Sequence, residues 1–229
     1  MYPVEDISFK EVVKALKNGN HPYEVGDTKT VDMGSFGTHT IRISNLSTPS
    51  ECSTEGFSQT ACGVVLEFAD TINYRRMNND RTNVGGWPAT TLRAYLNNNI
   101  YNAIPIDLRN GIIDTQVVSG YSFGSSSNFI STDKIFLLST SEVWEGGANE
   151  DTARYNTRQL DYYKKKGVTL SAPSGAIKKK STGSAEKWWL RTANYNNLNL
   201  HFYLVMDTGN KYGTYADGSF AVSPAFRIA

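Results

Sequence analysis

The chain opens on a helical period. Ser8 precedes Glu11 by three positions, the spacing of a capping box, and Phe9, Val12, Val13 and Leu16 then recur on one face until Gly19 ends the pattern. From there the period changes to two. Residues 23–27, 30–33 and, beyond a Gly34/Gly37 turn, 38–43 predict a β-hairpin or meander, because Thr40, Arg42 and Ser44 alternate with Ile41 and Ile43. After a Ser/Thr-rich loop, residues 63–68 form an apolar run suited to a buried strand.

A polar stretch, 73–83, separates this strand from the next helical signal. Pro88 suits a first helical turn, Leu92, Tyr95 and Leu96 share one face, and Asn97-Asn98-Asn99 is expected to stop the helix. A second helical piece is expected near Pro105, giving way to β-branched Ile112, Ile113, Val117 and Val118. Residues 120–128 read as a loop and 134–138 as a strand. Residues 158–166 read as a helix with Leu160 and Tyr163 inward and lysines at its C-terminal end, where positive charge suits the helix dipole. Residues 171–186 read as a polar, basic loop. From Trp188 onward strand and turn alternate: Leu198, Leu200, Phe202 and Leu204 interleave with Asn199, His201 and Tyr203, and residues 207–210 supply a hairpin turn. The expectation is an α+β chain with an N-terminal helical arm (1–20) and one main domain (21–229), without internal repeats.

Composition narrows the class. A chain of 229 residues with 39% hydrophobic side chains can bury one substantial core, and 23 basic against 22 acidic groups leave no global field to draw nucleic acid or an anionic membrane. No apolar run reaches the roughly 18 residues of a membrane helix, and the N-terminus lacks the basic start and apolar core of a signal peptide. A soluble chain without membrane insertion or export signal is the expectation. Cys52 and Cys62, ten residues apart, are either joined across their loop or reduced and structural; nothing near them in sequence lowers a thiol pKa.

Three blocks then stand in order: Asn83-Val84-Gly85-Gly86-Trp87 with Leu92-Arg93-Ala94-Tyr95-Leu96-Asn97; residues 131–139, reading STDKIFLLS; and Trp188-Trp189-Leu190-Arg191-Thr192 leading to Val222-Ser223-Pro224-Ala225-Phe226. This series resembles the DUF6273 type of bacterial and phage domains, from about Tyr23 onward. The resemblance implies a C-type-lectin-like fold, a mixed, mostly antiparallel sheet flanked by two helices, with N- and C-terminal strands paired and a ligand face on late strands and loops. It also implies a likeness to the variable proteins of diversity-generating retroelements, whose C-terminal cassette is rewritten at adenine positions so that Asn and Tyr codons crowd the binding face. Ser223 stands where the family usually has Arg, which puts in doubt one ion pair or hydrogen bond behind the binding strand. The calcium-lectin signatures Glu-Pro-Asn, Gln-Pro-Asp and Trp-Asn-Asp are absent, and no cysteine follows Cys62 to support the chemistry of the related sulfatase-modifying oxidases.

Independently of any family, tyrosine offers broad rigid contact at low entropic cost and asparagine offers adaptable hydrogen bonding, the mixture of an antibody paratope. The candidate ligand-binding residues are Tyr195, Asn196, Asn197, Asn199, His201, Tyr203, Tyr212 and Tyr215, set within 188–229 with Trp188, Trp189 and residues 222–228 as scaffold. The bland alternative is an edge strand solvated by the same side chains. His21, His39 and His201 are scattered, so neither a metal nor another cofactor is expected. Asp133 with Glu142, or Glu145 with Glu150, could form an acid/base pair, but loop carboxylates are usually solvated, and no enzyme is expected. The four tryptophans read as core and Lys178 to Lys180 as a solvated run. The expected function is recognition of a protein or glycan ligand on a cell surface, by a protein of a phage particle or bacterial surface. An unvaried structural or oligomerisation module, hence a homo-oligomer, is the rival.

Overall fold

A computed structural model describes residues 7–122, 124–146, 156–194 and 198–229. Helix α1 (Phe9–Lys17) leads into strands β1 (Thr28–Asp32), β2 (Thr38–Asn45), β3 (Val64–Phe68), β4 (Asp70–Thr71) and β5 (Tyr74–Arg76). Short helices α2 (Thr91–Tyr95), α3 (Tyr101–Ala103) and α4 (Ile106–Arg109) follow, then β6 (Thr115–Ser119), β7 (Phe129–Asp133), α5 (Thr140–Val143) and α6 (Asp161–Lys165). The C-terminal part is all strand: β8 (Lys178–Lys180), β9 (Ala185–Glu186), β10 (Trp188–Ala193), β11 (His201–Val205), β12 (Lys211–Tyr215), β13 (Ser219–Ala221) and β14 (Ala225–Ile228). The class is mixed α+β, mostly sheet with few helices.

Two larger sheets carry the fold, in orders β1-β2-β3-β14 and β12-β11-β10-β13-β5. The last strand returns to the N-terminal half, β14 pairing antiparallel with β3 from Ala225 opposite Glu67 to Ile228 opposite Val64. Strand β10, buried at all six positions, is the centre of the second sheet. Helix α1 begins where the capping box places it: the Ser8 hydroxyl and Glu11 carboxylate each satisfy the other's backbone N–H. Its buried face, Val12, Val13 and Leu16, joins the main core.

Several sequence expectations are corrected. The Asn97 side chain does not stop the helix; a π-turn, Leu96–Ile100, carries it on into α3. Asn97 instead accepts from the backbone N–H groups of Lys134 and Ile135 (2.8 and 3.0 Å) and donates to the Ile135 carbonyl (2.9 Å). That is one reason residues 134–138 are no strand. Phe136 forms a bridge with Ala225, and the carbonyls of Leu137 and Leu138 accept from Arg191 of β10. The polar stretch before Asn83 hides β5, and residues 171–186 contain β8 and β9 rather than a plain loop. Cys52 and Cys62 form a disulfide.

Lys178, read as part of a solvated run, is buried. Its ammonium donates to Glu67 Oε2 (2.6 Å), the Phe68 carbonyl (2.8 Å) and Ser223 Oγ (2.7 Å). Glu67 also accepts from Arg42 Nε and Nη2 (3.0 and 2.8 Å), Ser44 Oγ (2.6 Å) and the Tyr163 hydroxyl (3.0 Å). Five hydrogen bonds from four side chains thus tie β2, α6 and β8 to one carboxylate on β3, and Lys178 extends the cluster to Ser223 just before β14. Ser223 does lack an arginine's charge, and Lys178 supplies it from another strand. Burial alone would raise the Glu67 carboxyl, but Arg42 and Lys178 outweigh it and hold it below the usual carboxylate range.

Removing Lys178 leaves Glu67 under-compensated out of water. Urea unfolding at pH 7 should find Lys178→Met less stable by about 3–5 kcal/mol, and a loss below about 1 kcal/mol would contradict the cluster's role. A carboxyl with a depressed folded pKa contributes stability that is complete above its ordinary value, 4.5, and lost as pH falls through the folded value. Glu67→Gln should therefore flatten the acid side of the stability curve, read as urea midpoints over that range.

Candidate functional site: the outer face of the β11–β12 hairpin

The motif-bearing residues converge on buried carboxylates rather than on an open site. Asp133 accepts from Trp87 Nε1 (2.9 Å), Arg93 Nε (2.6 Å) and Ser131 Oγ (2.9 Å). Glu142 receives Arg191 Nη1 and Nη2 at 2.6 Å each, the Thr157 hydroxyl (2.7 Å), the Ser139 N–H (3.0 Å) and the Thr60 hydroxyl. Burial would raise the Glu142 carboxyl, but Arg191 holds it below its ordinary value. Asp133 and Glu142, expected as solvated loop carboxylates, are instead buried and engaged in structural bonds. Glu150, partner of Glu145 in the other imagined pair, lies outside the described residues. All four tryptophans are core, and each indole N–H has a partner: Asp133 for Trp87, and the carbonyls of Gly209, Ala176 and Arg75 for Trp144, Trp188 and Trp189.

The candidate ligand-binding residues divide. Tyr195, Asn196 and Asn197 lie outside the described residues. Asn199 sits in a turn before β11, not on a strand. In the β11–β12 register His201 faces Tyr215, Tyr203 faces Gly213 and Leu204 faces Tyr212. His201, Tyr203 and Tyr215 thus share one side, and Tyr212 points to the other. Tyr203 is only 4% exposed, a correction to its expected place on the surface. Lys211 lies over its ring at 5.2 Å, and a Cβ at Gly213 would meet both that ring and Asn194. Tyr212 and Tyr215 remain open, at 56% and 44% exposure.

Around Tyr215 a cluster forms that sequence reasoning missed in part. Arg81 stacks its guanidinium 4.1 Å from the Tyr215 ring centre while its Nε donates to both Asp217 oxygens (3.1 and 3.2 Å), and His201 meets the same ring edge-on at 4.6 Å. Burial first, then the Arg81 charge, pushes the His201 imidazole down, so it is neutral at pH 7, and its Nδ1 has no partner among the described residues. Asn83, wholly buried, has no partner at its Oδ1 among the described residues but donates through Nδ2 to the carbonyls of Asn194 (3.0 Å) and His201 (2.9 Å), while its own N–H donates to Asn199 O (2.7 Å). Asn83 stood in the first motif block and was legible there; Arg81 and Asp217, in ordinary polar stretches, carried no signal.

The ordered blocks have a counterpart in comparison with known families: residues 62–229 match the domain of unknown function DUF6273. The chain belongs to the DUF6273 family. The match begins later than the expected Tyr23, within the disulfide that closes the loop before β3, yet β1 and β2 upstream complete the sheet that β3 and β14 share with the family region. No curated protein and no solved structure matches the chain. Among the described residues, no helix is long and apolar enough to cross a membrane, and no group of three His, Cys, Asp or Glu could hold a metal ion.

This DUF6273 chain also has a His–Asp pair at the rim of a hollow of ≈ 440 Å³ with Lys179 and Lys180. His39 Nδ1 lies 3.1 Å from Asp70 Oδ2 and Nε2 lies 2.9 Å from the Phe36 carbonyl. Both neighbours present acceptor oxygens, which favours the doubly protonated ring over the neutral one. Burial would lower the His39 pKa, but Asp70 and the Phe36 carbonyl outweigh it and raise it above 6.5. A raised folded pKa contributes stability that is complete below 6.5 and lost as pH rises through the folded value. Thermal midpoints of the native chain and His39→Gln should therefore converge as pH rises from 6.5 upward; a constant gap would contradict an imidazolium at this position.

Proposed function

We propose that the chain is a binding protein that engages a protein or glycan ligand on a cell surface through the face built by Arg81, Asn199, His201 and Tyr215, with Tyr212 exposed on the other side of β12. The protein is displayed on a phage particle or bacterial surface and has a C-type-lectin-like fold. One observation carries the reading: Asp133, Glu142 and Glu67 are spent inside the frame, while Arg81, His201 and Tyr215 form an exposed aromatic and polar cluster. Tyrosine with arginine is the side-chain mixture of interface hot spots. The return of β14 to β3 is in keeping with the proposed fold.

Under the same reading the C-terminal cassette is hypervariable, as in targets of diversity-generating retroelements. Substitution is tolerated only where the side chain bears no packing. Neighbouring DNA should contain a near-copy of the C-terminal codons that differs at adenines for Asn199, His201, Tyr212 and Tyr215 and agrees at Trp188, Trp189 and the buried Tyr203. A near-copy varying at the buried codons, or none, would remove the diversification claim.

Recognition itself is tested by labelling the purified chain and measuring retention on a glycan array and a panel of bacterial cells. At least one target should retain the native chain, and Tyr215→Ala or Arg81→Ala should weaken that retention by about tenfold or more with the melting temperature kept. No retained target, or retention indifferent to both substitutions, would contradict the proposal.

A further inference from the structure

The opposite edge of the same sheet carries a second feature. Among the described residues strand β5 pairs with β13 alone, and Tyr74, Arg75 and Arg76 are all exposed along it. They form one wall of an open cleft of ≈ 570 Å³, within the range of about 300–1,000 Å³ typical of small-ligand sites. The other wall is helical. Thr91, Tyr95 and Asn99 line it at intervals of four residues, and the π-turn over Leu96–Ile100 sets the last of them. Such turns recur at functional sites.

The charge of this cleft is one-sided. Arg75 lies 4.2 Å from the Tyr95 ring centre, and neither Arg75 nor Arg76 has a carboxylate partner among the described residues. No Asp or Glu lines the cleft. The carboxylate that touches its rim, Glu186, accepts from the Tyr74 hydroxyl (2.7 Å) and from Thr71, which fixes the Tyr74 ring while leaving it half exposed. Tyr95 is fixed likewise, its oxygen accepting from Asn73 Nδ2 (2.7 Å). Arg75 and Arg76 leave β5 on opposite faces of the edge strand, yet both line the cleft, so each guanidinium suits its own carboxylate or sulfate group, held bidentately. Hydroxyl and amide groups facing them suit a polyhydroxylated body, and a held tyrosine ring offers a stacking surface.

We propose that this cleft binds an acidic saccharide, a sugar carrying carboxylate or sulfate groups. The site is separate from the β11–β12 face, so either can fail without the other. Calorimetric titration of the intact chain would use four probes: an oligogalacturonate, a sulfated heparin tetrasaccharide, neutral maltotetraose and inorganic sulfate. At least one acidic saccharide should bind, with maltotetraose and sulfate weaker by about tenfold or more. The carboxylate and sulfate probes distinguish which anion the arginines prefer. Arg76→Gln and Asn99→Ala, on opposite walls, should each weaken binding of the preferred probe, Arg76→Gln by about tenfold, while Lys14→Gln on α1 leaves it unchanged. Far-ultraviolet circular dichroism and thermal melting would show that the variants remain folded. Absence of acidic-saccharide binding, equal binding of maltotetraose or sulfate, or an unaltered affinity in folded Arg76→Gln would overturn the proposal.

Discussion

Arg191 and Glu142 meet entirely out of water, and that pairing holds segments far apart in the chain to one point. Removing two charges from water costs several kcal/mol apiece unless geometry and further hydrogen bonds compensate. Here the compensation comes from far apart in the sequence. The guanidinium also donates to the carbonyls of Leu137 and Val118, and the carboxylate also accepts from Thr60, Thr157 and the Ser139 N–H. The central strand β10, strand β6, helix α5 and the turn before β3 must therefore arrive together. The disulfide belongs to the same constraint: it closes the loop holding Ser58 and Thr60, whose hydroxyls bond each other, and Ser58 also accepts from the Val118 N–H.

Glu67 and Asp133 repeat the device elsewhere. Glu67 joins the N-terminal sheet to α6 and β8, and Asp133 holds Trp87 and Arg93. Three buried carboxylates, each saturated with donors, let the frame stand without help from the outer face of the β11–β12 hairpin. Buried charges paired in this way rigidify and specify a core, although Arg191 Nε and Ser139 Oγ have no partner among the described residues. The position of that surface is set from below by Asn83, Trp144 and strand β10 rather than by its outward Asn, His and Tyr side chains.

The sequence was legible where one element decided its own fate. The Ser8–Glu11 cap, the alternation in β2, the apolar run of β3 and the turn before β12 are local, and the structure has each of them. Misreadings cluster where a distant partner decides. Lys178 looks like one lysine in a run of three because Glu67, 111 residues away, leaves no trace near it. Asn97 looks like a helix breaker because the backbone it satisfies, at Lys134 and Ile135, lies on another segment. Tyr203 follows the outward phase of an alternating strand, yet Lys211 and Gly213 cover it from β12, so strict alternation fails on a strand packed on both sides. Of the candidate face, the tyrosines of β12 and His201 were legible from composition and phase; Arg81 and Asp217 were not, since only the fold brings them to Tyr215.

The most direct measurement is a double-mutant cycle on the central pair: urea unfolding of the native chain, Glu142→Gln, Arg191→Met and the combination. If the pair organises the frame, each single change strands a buried partner and costs about 3–5 kcal/mol, while the double change costs far less than the sum, a coupling on the order of 3 kcal/mol. Additive losses, with no coupling between the two positions, would contradict a frame built on Arg191 and Glu142.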